Sequence, residues 1–148
     1  MTNEDILRYK ELAYKEALSA FKEKETPIGA VLVQDNKIIS LSHNHSLKDT
    51  DPTEHAEMNV LKEGFKILKT KNLSSCSLFI TLEPCLMCLG GIISAHLKDV
   101  YYFALDPKKG AFSFYHVDPN VNELRIHYLP DEKCGKIVSD FFKVIRKK

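Results

Sequence analysis

Two short segments of this 148-residue chain carry side chains suited to chemistry: His55-Ala56-Glu57 and Pro84-Cys85-Leu86-Met87-Cys88. A Cys-x-x-Cys pair alone has three readings: a redox dithiol, half of a structural zinc site, or two buried thiols. Its setting adds information. Pro84 stands where a helix can begin, since its missing N–H costs nothing at the first helical position. Cys85 and Cys88 then lie three apart in the first turn, with both thiols on one face, and the positive end of the helix favours thiolates. His55 falls in the first turn of another helix, just after Asp51-Pro52-Thr53. One imidazole and two thiolates make a three-ligand site that leaves a fourth position for water, and this thiolate-rich set favours zinc. No further Cys or His has the spacing to close it. Glu57 follows His55 by two, so in an ideal helix the two point roughly 200° apart. They reach a common point only over the end of the helix, which a first-turn position allows. A carboxylate there can take a proton from a zinc-activated water and pass it to a departing amine. Alone, Glu57 would read as a first-turn carboxylate favoured by the helix dipole. Beside His55 and the cysteine pair, the proton-shuttle reading displaces that one.

The rest of the chain must bring these helix starts together. Thr2 to Lys24 has helical periodicity, with Ile6, Leu7, Leu12, Ala13, Ala17, Leu18 and Phe21 on one stripe and Thr2 with Asp5 as a capping box. Pro27 breaks that pattern. Ile28–Val33 reads as a strand, Asp35-Asn36 as a hairpin turn and Lys37–Ser42 as the returning strand. Helical spacing returns from Thr53 through Leu68. Cys76–Leu82 reads as a third strand, Cys85 to about His96 as a helix, Asp99–Leu105 as a fourth strand, Leu124–Tyr128 as a fifth and Asp131–Lys147 as a final helix. The segment Asp106–Asn122 leaves room for a short helix. The Cys85–His96 helix is apolar nearly all round, which predicts deep burial or a subunit contact. Strands alternating with helices imply crossover connections and a mixed, largely parallel sheet. The expected fold is α/β: a three-layer α/β/α sandwich on a mixed five-stranded sheet, residues 1–148 forming a single domain. Neighbouring parallel strands would deliver both helix starts to one sheet edge, where open α/β folds place their ligands.

Composition excludes several classes. Lys plus Arg number 21 and Asp plus Glu 20, a net charge of +1, so the chain is not coated in positive charge, although a local basic patch is compatible with that balance. Apolar residues at 44% and charged residues at 28% match a globular protein rather than a disordered one. No apolar run reaches the roughly 18–20 residues that span a bilayer. The start, Met1-Thr2-Asn3-Glu4-Asp5, lacks the basic and apolar stretches of a signal peptide. Four cysteines are too few for a disulfide-stapled miniprotein. A cytoplasmic protein with no membrane partner is expected.

His-Ala-Glu followed by Pro-Cys-x-x-Cys resembles the signature of the zinc-dependent cytidine and adenosine deaminases. The longer strings Asp51-Pro52-Thr53, Thr81-Leu82-Glu83-Pro84-Cys85, Met87-Cys88, Pro27-Ile28-Gly29-Ala30-Val31 and Ser139-Asp140-Phe141-Phe142 resemble the bacterial tRNA-specific adenosine deaminases. This resemblance covers almost the whole chain. It implies His55, Cys85 and Cys88 as zinc ligands, Glu57 as the catalytic proton shuttle, and Asn44 as a contact to the target nucleoside. It further implies hydrolysis of adenosine to inosine at the wobble position, number 34, of tRNA, recognised through the anticodon stem-loop, by a homodimer. A hairpin loop suits such a site because its unpaired base is cheaply splayed out.

Where the family continues with small residues after Asp106-Pro107-Lys108-Lys109-Gly110-Ala111, this chain has Phe112-Ser113-Phe114-Tyr115. These aromatics fit either base stacking or the core. Lys108, Lys109, Lys143, Arg146, Lys147 and Lys148 fit phosphate contacts or solvated ends. His43 and His45 read as surface or pocket residues, Cys76 and Cys134 as buried thiols, and Asn44, apart from the resemblance, as a turn residue. Two other functions use the same residues: a deaminase of a free base, nucleoside or nucleotide such as guanine or cytosine, and a silent zinc-stabilised nucleic-acid-binding module. A purely structural zinc site has no use for Glu57.

Overall fold

The computed structural model describes residues 1–146; Lys147, Lys148 and the Arg146 side chain, with the phosphate contacts expected of them, lie outside the described residues. The chain runs α1 (Asn3–Lys22), β1 (Gly29–Gln34), β2 (Lys37–His43), α2 (Ala56–Leu68), β3 (Cys76–Ile80), α3 (Leu86–Ser94), β4 (Asp99–Tyr102), β5 (Arg125–Tyr128) and α4 (Glu132–Arg146). In the stretch expected to leave room for a short helix, only a 3-10 turn at Val121–Glu123 appears, overlapping its end. The capping box at Thr2 forms: the Asp5 N–H donates to Thr2 Oγ1 at 3.1 Å and the Thr2 N–H to Asp5 Oδ2 at 3.0 Å. Asp35 and Asn36 both adopt positive φ, 49° and 60°, the backbone a tight hairpin turn needs.

Side chains alternate across the sheet and so divide the core in two. Ala30, Leu32, Leu78 and Ile80 face Val60 and Leu61 of α2 and Ile92 of α3. Val31, Val33 and Phe79 face Tyr9 and Ala13 of α1 and Cys134 of α4. Those are the three expected layers. The stripe on α1 is rotated from the expected one, because Tyr9, Ala13, Ala17 and Ala20 are buried while Leu7 and Leu18 are exposed. Small alanines let the helix lie close on the sheet. At Gly29 a Cβ would run into the Ala13 carbonyl, so only glycine admits that approach.

The strand order is β2-β1-β3-β4-β5. β1 pairs antiparallel with both β2 and β3, while β3–β4 and β4–β5 are parallel. The sheet is therefore mixed, yet with two antiparallel pairings of four it is not largely parallel as expected. β1 enters between β2 and β3 and contributes both antiparallel ladders.

Candidate active site

That insertion is what assembles the site. β2 and β3 each run antiparallel to β1, so they are parallel to one another and end at the same sheet edge, on either side of Gly29. His43 pairs with Gly29, and the Thr81 N–H donates to the Gly29 carbonyl at 3.0 Å. The helix starts meet at one edge as expected, but across an intervening strand rather than from neighbouring strands.

His55 and Cys85 are the N-cap residues of α2 and α3, one position ahead of the first turns expected for them, and Pro84 precedes the cap instead of opening the helix. His55 Nδ1 lies 3.7 Å from Cys85 Sγ and 3.5 Å from Cys88 Sγ, and the three ligand atoms all fall within 4.8 Å of one another. The Cys85 thiol is pulled down to about 4, chiefly by the hydrogen bond from Cys88 and further by His55, while Cys88, as the proton donor, is pushed up. The hydrogen bond to Cys85 raises His55. One imidazole and two thiols at this spacing can hold a metal ion.

Glu57 occupies the second position of α2, is 3% exposed, and its Oε1 has no hydrogen-bond partner. Burial pushes its carboxyl up to about 7. Asn44, the first residue after β2, is buried, and its Oδ1 accepts from the Ala56 N–H at 2.9 Å. That backbone donor fixes the amide orientation. Asn44, His55, Glu57 and Cys85 line one cavity of about 170 Å³, with Lys108, Lys109, Val138 and Phe142 around it. Loop 45–54 closes beside it, the His45 N–H donating to the Glu54 carbonyl at 2.9 Å.

Other expected residues divide. Phe112 packs on the core and stacks with Tyr102, whereas Phe114 and Tyr115 are 49% and 50% exposed. His43 bridges Glu16 and Glu23 at 2.9 and 3.0 Å and is not one of the three clustered metal-type ligands. Cys76 and Cys134 are buried, and burial pushes the Cys134 thiol up to about 12. Lys143 is exposed. Two buried carboxylates went unread in the sequence. Glu25 accepts from the N–H groups of Leu47 and Lys48 at 3.0 and 2.7 Å, and Glu83 gathers the Asp106–Ser113 loop. An acidic residue inside the apolar run Ile80–Leu82 and Pro84 was the available signal for Glu83; Glu25 offered none.

The MafB19-like deaminase family model matches residues 4–146. A tRNA-specific adenosine deaminase of Aquifex aeolicus is 39% identical over 139 residues, covering 91% of this chain and 92% of that relative. The chain belongs to the tRNA-specific adenosine deaminases. Among solved structures, this deaminase superposes with a TM-score of 0.76 on one from work on A-to-I editing by tRNA:A34 deaminases at the wobble position. That pair is 36% identical and covers 82% of this chain and 97% of the other. Guanine deaminase from Bacillus subtilis gives a TM-score of 0.68 at 28% identity, covering 100% of this chain and 96% of that one. Among the described residues no helix of the deaminase is long and apolar enough to cross a membrane.

Proposed function

We propose that this deaminase hydrolyses adenosine to inosine at the wobble position of a tRNA, with zinc held by His55, Cys85 and Cys88 and with Glu57 moving the protons. The observation that carries the reading is the buried, unpartnered oxygen of Glu57, which lines one cavity with His55 and Cys85 while Cys88 clusters with those two ligands. A purely structural site would leave no such oxygen. The donor set fits zinc by its chemistry. Zinc held there supplies Lewis-acid activation of a water for attack at C6 of the purine. Glu57 Oε1 takes up one proton of that water and releases it to the departing amine, so adenosine and water give inosine and ammonia. Asn44 Nδ2 meets an acceptor on the nucleoside, and its Oδ1 is held by Ala56, which orients it. The narrow cavity admits a base only when it is turned out of a stack, as an anticodon loop permits. Lys108 and Lys109 face phosphate oxygens of that loop.

The same reading makes the protein a cytoplasmic homodimer. α3 buries Cys88, Leu89 and Ile92 inward but leaves Leu86 43% exposed, an apolar surface that a subunit contact would cover.

The test is inosine formation on an anticodon stem-loop with adenine at the wobble position, run beside free adenosine, guanine and cytosine. Inosine in the stem-loop alone is expected. The likeness to guanine deaminase from Bacillus subtilis supports a second reading, a free-base deaminase. Turnover of guanine with the stem-loop untouched would keep His55, Glu57, Cys85 and Cys88 in place and overturn the substrate.

A further inference from the structure

Glu83 is 3% exposed and stands two residues before Cys85, at the wall of the cavity. All its side-chain partners lie in one distant loop, and all of them donate. The Asp106 N–H reaches Oε1 at 3.1 Å and the Ser113 hydroxyl reaches the same oxygen at 2.5 Å. The N–H groups of Phe112 and Ser113 both reach Oε2 at 2.8 Å, two successive amides cupping one oxygen. One carboxylate thus clamps both ends of the loop. Between the clamped ends, Asp106 Oδ1 accepts from the Lys108 and Lys109 N–H groups at 3.1 Å each, which fixes the turn that carries both lysines to the cavity. A Cβ at Gly110 would collide with the Glu83 carboxylate, so glycine is what lets the loop close over it. The backbone adds a second tie beside the first: the Ala111 N–H donates to the Pro84 carbonyl at 2.9 Å.

We propose that Glu83 is a positioning residue that sets the spacing between the Cys85 turn and the Lys108–Lys109 rim. The reacting base and its flanking phosphates are thereby held in one register. The proposal rests on the stem-loop reading given above, and Glu83 acts in it only through the two lysines.

A carboxylate with four donor partners has no faithful amide substitute. In Glu83→Gln the side-chain carbonyl can satisfy Phe112 and Ser113, and the Ser113 hydroxyl can turn to accept. The amide NH2 then opposes the Asp106 N–H, and that end of the loop is released. The experiment compares wild type, Glu83→Gln, Ser113→Ala, Lys108→Ala/Lys109→Ala and the triple variant. It reads zinc content, kcat and KM on the anticodon stem-loop, and hydrogen exchange of the loop amides.

Glu83→Gln is expected to keep its zinc and raise KM about tenfold with kcat within about threefold. The Asp106 amide should exchange at least about tenfold faster. Ser113→Ala should move KM the same way by about threefold, and it decides the matter if Glu83→Gln does not fold. On the lysine-free background, Glu83→Gln should change KM by less than about twofold, because its effect is transmitted through those side chains. Loss of zinc, a fall in kcat with KM unmoved, or an undiminished effect without the lysines would overturn the proposal. Should the wild type leave the stem-loop untouched, the substrate reading fails. The clamp is then judged by exchange alone: a released Asp106 amide supports it and an unchanged one overturns it.

Discussion

Glu57 is an expensive residue for a fold to keep. Its carboxyl is buried, pushed up to about 7 by that burial, and one oxygen is unpartnered. A group retained for stability would be satisfied; one retained for chemistry need not be. Glu57→Ala is therefore expected to keep the fold and the zinc, to hold or raise Tm, and to cut turnover by about 10³-fold. Thermal unfolding, metal analysis and an inosine assay check this together, and turnover near wild type would remove Glu57 from the mechanism. The residues of the candidate site were legible in the sequence where one residue type recurs at a spacing suited to a metal, as with His55, Glu57, Cys85 and Cys88. Asn44 was legible only through the family resemblance. Glu83 showed only as an acidic residue in an apolar stretch and Glu25 not at all, and the partners of both were illegible, because a carboxylate that collects backbone N–H groups leaves no mark where any residue but proline supplies the donor.

At the scale of elements, the helices and strands read from periodicity lie near their observed bounds, because each buries a face whose period is its own. The ends are where reading and structure part. β3 stops at Ile80 and β4 at Tyr102, short of the expected Leu82 and Leu105; Leu82 and Glu83 go on to line the cavity, and Phe103 and Ala104 pack in the core. Strand order was the larger gap: a hairpin announces that β1 pairs with β2, but nothing local says what takes β1's other edge. The loop between β2 and α2 depends on an element distant in sequence as well. Glu25, just beyond α1, holds the backbone of Leu47 and Lys48. In Glu25→Gln one of those N–H groups must face an amide NH2, so a loss of about 1–3 kcal/mol in unfolding free energy is expected by denaturant titration. Faster hydrogen exchange should be confined to loop 45–54. Exchange unchanged in that loop would show that Glu25 does not brace it.

Across the whole molecule, the parallel edge of the sheet carries a pH-sensitive tie. Arg125 of β5 donates to both oxygens of Asp99 on β4, at 2.8 and 2.7 Å, and His127 stands 3.0 Å from the same carboxylate. The hydrogen bonds from Arg125, followed by that of His127, hold the Asp99 carboxyl below its ordinary 3.8. A lowered folded-state value adds stability above the unfolded value and loses it as pH falls through the folded one. Asp99→Asn should accordingly lower Tm at pH 7, with the gap to wild type closing as the buffer is taken below 3.8. A gap independent of pH would assign the effect to packing. Zinc should act on the whole fold too, because it would join α2 and α3, which start from strands that never touch. Chelation is expected to lower Tm and stop turnover, with both restored by added zinc.

The first and last helices lie side by side and point the same way: Lys10 meets Asp131 at 2.6 Å, and further along Phe21 meets Phe141 with ring centroids 5.9 Å apart. α1 begins near the Asp35–Asn36 turn, where Arg8 reaches Asn36, while α4 advances toward the cavity with Val138 and Phe142. A label carried at the start of α1 would thus sit by the Asp35–Asn36 turn. A label carried on α4 near Phe142 would crowd the mouth of the cavity, so the first helix is the better place to attach one.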